Sequence, residues 1–290
     1  MRKMTDEEIL KTIDENFCNM DHLKDFFKSG AFDLDDVLYV DGECSTVLGL
    51  VAYMGRVDVA KILIEAGAGV NIPTNDDGLT PLMSACLRPD NSEMIKFLVD
   101  SGAHIEQRDL YKETILYSCA GNNWIEYVKL LVKLGANIEA KCSDGYTPLM
   151  IAISRQHESV VRFLINSGAD VNSYSKGFKC SCLSMAVKVE NVKIAKMLLN
   201  AGADVNARDN DGLTPCATAA ILKNKELVDV LINAGADLSI QDNNGISVRE
   251  YINGRRDTGK MIEDIVCSVA KGFFGTINAG LSILDKIGKY

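Results

Sequence analysis

Tryptophan occurs once, histidine three times and proline five times in the 290 residues. No apolar run approaches the ~18 residues that a membrane span requires. So few histidines leave little for acid-base or metal chemistry. His22, His104 and His157 stand far apart, with no nucleophile at a telling spacing, whereas hydrolytic triads need a base oriented by a third group. No phosphate-cradling loop is present either, since Gly272, Gly275 and Gly280 precede no Lys-Ser or Lys-Thr. Positive charge is the minority, with 31 Lys and Arg against 40 Asp and Glu, a net charge of −9. That balance argues against nucleic acid or an anionic membrane as the partner of the chain as a whole. A local basic patch stays open.

What the chain does have is cysteine and a period. The nine cysteines are an odd number, and several sit among apolar helical positions, where a free thiol behaves as a small hydrophobe. This usage, together with Met1–Leu10 that shows no apolar signal region, leads to an expected reducing, intracellular and cytoplasmic location. Thr5 with Glu8 forms a helix-start box in that first segment. A Gly-Ala step recurs at Gly30, Gly67, Gly102, Gly135, Gly168, Gly202 and Gly235, at intervals of 37, 35, 33, 33, 34 and 33 residues. Each step closes an apolar run such as Ile62-Leu63-Ile64. Glycine suits the left-handed residue just past a helix end, so seven copies of one helix stop predict copies of one stacked unit.

The clearest unit begins at Asp144-Gly145-Tyr146-Thr147-Pro148-Leu149. Thr147 caps a helix and Pro148 presets its first dihedral, which predicts a short helix to about Arg155. A second helix over Glu158 to Asn166 carries Val160, Val161, Phe163, Leu164 and Ile165 and stops at Gly168. The same start recurs at Thr80-Pro81-Leu82, Thr114-Ile115-Leu116 and Thr214-Pro215-Cys216. With Gly168-Ala169-Asp170-Val171-Asn172 and Gly202-Ala203-Asp204-Val205-Asn206, this pattern resembles the ankyrin repeat family over roughly residues 5 to 265. The resemblance implies an all-α solenoid: a curved stack of helix pairs with protruding β-turns that binds proteins without catalysis or cofactor. The expected layout is an N-terminal capping repeat over 1–40, six repeats over 41–242, a degenerate repeat over 243–266 and an amphipathic helical tail over 267–290. The capping repeat is expected to have Leu10, Ile13, Phe17, Leu23, Phe26 and Phe27 as its apolar face. A terminal repeat has one neighbour and a polar outside.

The chain departs from the family pattern in several places. Met83, Tyr117, Met150, Ser184 and Ala217 stand where the family carries a histidine that bonds between repeats. The inter-helix turn at Leu87-Arg88-Pro89-Asp90-Asn91 is longer, and the turn from Asn172 to Ser181 gains a residue and loses its Asp-Gly.

By the resemblance, an unidentified protein partner meets the concave surface made by turn tips and the ends of the first helices. The residues this selects are Tyr53, Met54, Asp77, Leu87, Arg88, Tyr111, Lys112, Asn122, Arg155, Tyr174, Lys188 and Leu222, among which aromatic residues and Arg commonly anchor interfaces. The resemblance also places Asn71, Asn172 and Asn206 where ankyrin repeats of animals undergo asparaginyl hydroxylation. Trp124 is expected to pack on the outer helix layer, a second binding face being the alternative. Cys180-x-Cys182, with Cys142 one repeat earlier, lacks the spacing of a zinc site, so no metal is expected.

In the tail, Ile262, Ile265, Val266, Val269, Phe273, Ile277, Leu284 and Ile287 fall on one helical side, opposite Lys260, Asp264, Lys271, Asp285 and Lys289. Three readings stand: a cap on the last repeat, a partner-binding or self-associating helix, or membrane-surface attachment through Phe273-Phe274. The glycines at 272, 275 and 280 weaken a single unbroken helix. The expected function is a monomeric non-catalytic adaptor or scaffold. A peripheral membrane adaptor and a regulatory arm of a multi-subunit enzyme are the alternatives. Richness in Lys, Ile and Asn fits an AT-rich genome, and for an intracellular bacterium would suggest an effector delivered into a host cell.

Overall fold

A computed structural model of the protein describes residues 11, 20–30, 32–40, 43–73 and 78–254. The expected amphipathic tail, Leu10, Ile13, Phe17 and Asp77 lie outside these residues. Among the described residues there are fourteen helices and one two-stranded sheet. They fall into two compact units. The first comprises the chain up to Ile115 with Lys133–Ala136, and the second Leu116–Val132 with the chain from Asn137 onward.

In the first unit, α1 (Met20–Lys28) precedes a hairpin of β1 (Val37–Val40) and β2 (Glu43–Thr46), then α2 (Val47–Met54), α3 (Val57–Glu65), α4 (Pro81–Cys86) and α5 (Ser92–Asp100). Helix α2 packs on both α3 and α4, and α3 on both α1 and α5. Leu23 and Phe27 of α1 are buried as expected, with the Phe27 ring edge-on to Phe32. Helices α6 (Ile115–Gly121) and α7 (Ile125–Lys133) follow. The second unit continues through α8 (Pro148–Ser154), α9 (Glu158–Asn166), α10 (Cys182–Lys188), α11 (Val192–Asn200), α12 (Pro215–Ile221), α13 (Lys225–Asn233) and α14 (Val248–Ile252). Helices α8, α10, α12 and α14 pack successively in one row, and α9, α11 and α13 in another.

The rows differ because their sequences do. Every residue of α8 from Pro148 to Ser154 is buried, as is every residue of α4 from Pro81 to Cys86. A helix apolar all round must be enclosed. The partner helices bury one stripe only: Val160, Val161 and Leu164 in α9, Ile194, Ala195 and Leu198 in α11. Helix starts follow the hydroxyl caps. The Thr147 Oγ1 accepts from the Met150 amide at 3.3 Å, Thr214 does the same for Ala217 at 3.2 Å, and Ser181 replaces threonine for Ser184 at 3.1 Å. Helix stops follow the glycines: all seven have positive φ. At Gly168, where φ is +89°, a Cβ would meet nothing within 4 Å, so the dihedral rather than space demands glycine.

The hairpin was not anticipated from the sequence. Its register pairs Val37 with Thr46 and Val40 with Glu43. A correction concerns the missing histidine, because bonds between repeats come from other positions. Asn91, just before α5, donates its buried Nδ2 to the carbonyls of both Ala52 and Ala85 at 2.8 Å. His157 meets the Gly121 carbonyl at 2.9 Å, while Asn191 and Asn224 donate to Gln156 and Glu190 of the preceding repeat. Asn71, Asn172 and Asn206 act likewise: their Oδ1 atoms accept from the amides of His104, Asp204 and Asp237.

Replacing Asn91 by Ala leaves two buried carbonyls without that donor, so the unfolding free energy should fall by about 2 kcal/mol. Asn224→Ala, which loses an exposed bond to Glu190 and the cap on the Leu227 amide, should cost about 1 kcal/mol. Urea unfolding of both variants checks the ranking, with the slope expected to stay that of the parent.

Candidate protein-binding surface

Three of the turn tips that project between helix pairs are each built on one aspartate. Asp109 Oδ1 accepts from the amides of Tyr111 and Glu113 at 2.9 and 2.8 Å. Asp209 does the same for Asp211 and Leu213, and Asp242 for Asn244 and Ile246. A side chain that holds its own backbone this way fixes the turn locally. The three tips also close with the same backbone bond, the aspartate amide donating to the carbonyl four residues on, of Glu113, Leu213 and Ile246.

Successive tips of the second unit are then tied to one another. The Lys176 amide donates to the Asp144 carbonyl at 2.9 Å, and the Asn210 Nδ2 to the Gly177 carbonyl at 2.7 Å. Asn243 donates its amide to the Asp211 carbonyl at 2.9 Å and its Nδ2 to the Asn210 carbonyl at 2.7 Å. What emerges is a row of turns with little backbone freedom left to lose.

Most residues selected from the sequence do reach the surface, but not equally. In the first unit, Met54 and Tyr111 are exposed, Tyr53 and Leu87 are half-buried, and Arg88 is exposed with its Nη1 donating to the Met54 carbonyl at 3.0 Å. Lys112 is exposed at a left-handed turn residue, and its carbonyl accepts from Arg108. In the second unit, Asn122 is exposed, whereas Arg155, Tyr174 and Leu222 are half-buried. Arg155 donates to the Gly121 carbonyl at 3.0 Å, bridging repeats. Trp124 is half-buried with its ring edge-on to Tyr127.

Two exposed apolar residues stand on the expected turn tips but outside the twelve residues selected. Leu110 is 65% exposed beside Tyr111, and Phe178 is 43% exposed at the lengthened tip where Tyr174 was favoured. The available signal was an apolar residue in the middle of a turn, where it has no core to enter.

A family model described as "Ankyrin repeats (3 copies)" matches residues 15–109, 107–175 and 173–242. The chain belongs to the ankyrin repeat family. A stretch of 91 residues, 30% of the chain, is 37% identical to the transcription factor SWI6 of Pyricularia oryzae, and it spans only 10% of that protein's length. Among solved structures, the ankyrin repeat domain of Bcl-3, a member of the IkappaB family, aligns with a TM-score of 0.67 and 24% identity. That alignment covers 75% of this chain and all of the Bcl-3 chain, and it shows the shared fold. Ankyrin repeats are protein-protein interaction modules.

Within this ankyrin frame, Lys188 requires a correction. It ends α10, where a partner contact was expected, yet its side chain is 8% exposed. Its Nζ lies 3.8 Å from Asp209, itself 6% exposed, so the charge is used between adjoining repeats. Burial holds the Asp209 carboxyl above the usual carboxylate value, and Lys188 opposes that shift. Burial also raises the thiols of Cys180, Cys182 and Cys216, the last to about 11. Such thiols stay protonated near neutral pH and are poor nucleophiles. Among the described residues, no group of three or more His, Cys, Asp or Glu could hold a metal ion.

The pair carries a pH signature. A carboxyl whose folded pKa is raised adds stability below its unfolded value, and that stability is lost as pH rises through the folded value. Lys188→Met leaves the buried carboxylate with its backbone donors but without its cation, raises its pKa further and should cost about 2 kcal/mol at pH 7. As pH falls from 7 through the raised pKa of Asp209, where the carboxyl takes a proton, the gap from the parent should close. Urea unfolding across that range checks it; a gap constant with pH would mean that Asp209 does not depend on Lys188.

Proposed function

We propose that this chain is a non-catalytic adaptor or scaffold whose 41–242 repeats hold a protein partner against the turn tips and the ends of the first helices. The observation that carries this reading is the tie between tips. A surface whose backbone is already bonded loses little conformational freedom on binding, so more of the contact energy appears as affinity. On the first unit, the exposed Leu110-Tyr111 tip and the Tyr53, Met54, Leu87 and Arg88 side chains supply the aromatic, aliphatic and guanidinium groups that dominate interface energetics. We place this activity in a reducing, cytoplasmic setting, in keeping with the free thiols of Cys86, Cys119, Cys142, Cys180, Cys182 and Cys216.

Substituting Tyr53, Leu87 and Tyr111 together by Ser should weaken partner capture from the native cell at least about tenfold, while the helical circular-dichroism signal persists. Mass spectrometry of material captured by the parent and lost by the variant identifies the partner. Identical captured sets would move the binding surface elsewhere.

A further inference from the structure

The tip between α9 and α10 is the one that gained length, and it is not loose. The Ser175 amide donates to the Cys180 carbonyl at 3.1 Å, and the Cys180 amide returns a bond to the Ser175 Oγ at 3.1 Å. Tyr174 and Ser181 form an isolated antiparallel bridge at its base. Its outer half is clamped from both sides, by the Asp144 carbonyl on the Lys176 amide and by Asn210 on the carbonyls of Gly177 and Phe178. The approach on the Asp144 side is close enough to demand glycine. A Cβ on Gly145, whose φ is +79°, would stand 2.9 Å from the Lys176 nitrogen. An insertion into a turn ordinarily adds entropy and mobility. Here neighbouring repeats hold its backbone.

What this rigid finger presents is an aromatic ring between cations. Phe178 is 43% exposed, and Lys176 and Lys179 beside it are both exposed. On the adjoining tips Lys141 and Arg208 are exposed as well, against the exposed Asp144 and Asp211. Residues 173–181 carry Lys176 and Lys179 and no acidic residue, in a chain whose net charge is −9; the carboxylates of Asp170 and Asp204 act on Tyr174 at the base of the finger. A half-exposed Phe in a preorganised turn costs hydration free energy that the finger's own packing does not return. A partner that sheathes the ring recovers that cost, and its charge is dictated by the flanking lysines.

We propose that the 173–181 finger of the second unit docks an acidic protein segment, with Phe178 entering an apolar cleft of that segment and Lys176 and Lys179 pairing with its carboxylates. The inference rests on the protein-binding reading above and adds the site and the chemistry of the partner. A polyanion such as RNA fits less well, because the chain's overall charge repels it and one isolated ring cannot stack successive bases.

The test is an array of immobilised peptides with acidic, neutral and basic residues around aliphatic or aromatic side chains, plus a single-stranded RNA oligomer. It is probed with the full chain, with Phe178→Ala, with the double variant Lys176→Glu and Lys179→Glu, and with the Tyr53, Leu87 and Tyr111 serine variant. The substituted finger residues are exposed, and circular dichroism confirms that each variant keeps its helices. The expected result is retention of acidic, apolar-bearing peptides, weakened about tenfold or more by either finger variant and by raising salt to roughly 0.5 M. Retention of neutral or basic peptides, indifference to the Phe178 and lysine changes, or preference for the RNA overturns this inference. Peptides that respond only to the Tyr53, Leu87 and Tyr111 variant overturn it while leaving the protein-binding reading intact. If no peptide is retained by any of the four chains, both fall.

Discussion

The structure depends on the enclosure of helices too short to exist alone. Isolated helices shorter than about 12 residues are marginal in water, and α4, α8, α10 and α12 have six or seven residues. Each survives because its neighbours bury all or nearly all of its residues. In α8 the whole run Pro148-Leu149-Met150-Ile151-Ala152-Ile153-Ser154 is buried. A unit of this kind has no inside of its own. It acquires one when another unit lies against it, and that explains why the chain repeats and why its stability is shared between neighbours.

Enclosure also dictates where function can sit. With the first helices consumed by packing, the exposed chemistry of a repeat is pushed onto its turn tips, its helix ends and the outer stripe of its second helix. Turn backbone would ordinarily be the least ordered part of such a chain. Here Asp109, Asp209 and Asp242 bond their own turns, and Asp144, Gly177, Asn210 and Asn243 join turn to turn. Leu110 and Tyr111 are exposed on such a turn of the first unit, and Phe178 on one of the second. Desolvation keeps the thiols of Cys180, Cys182 and Cys216 protonated.

The architecture was legible because its causes are local. Thr147-Pro148 states a helix start and Gly168 a helix stop, and the second helix runs from Glu158 to Asn166 as its apolar spacing required. The hairpin at Val37–Thr46 was not legible, because its strands are of four residues each, Val37-Leu38-Tyr39-Val40 is apolar without alternation, and the pair interrupts an otherwise helical period. The candidate surface was legible only in part. Position within the repeat located Met54, Arg88, Tyr111 and Asn122 on the exposed side. It misjudged Lys188, because a long side chain can turn inward to a carboxylate that the sequence places 21 residues away.

Read by itself, the sequence determined the family, the helix-pair module, its period and its caps, since each rests on dihedral preferences and apolar spacing within a few residues. Tertiary structure alone decided which polar atoms link one repeat to the next, that Asn91, His157 and Asn224 stand in for the absent histidine, that Lys188 is buried and that Phe178 is not. Those outcomes depend on distances between residues some 20 to 40 positions apart. Only the stacking of one module on the next brings such residues within reach of a hydrogen bond.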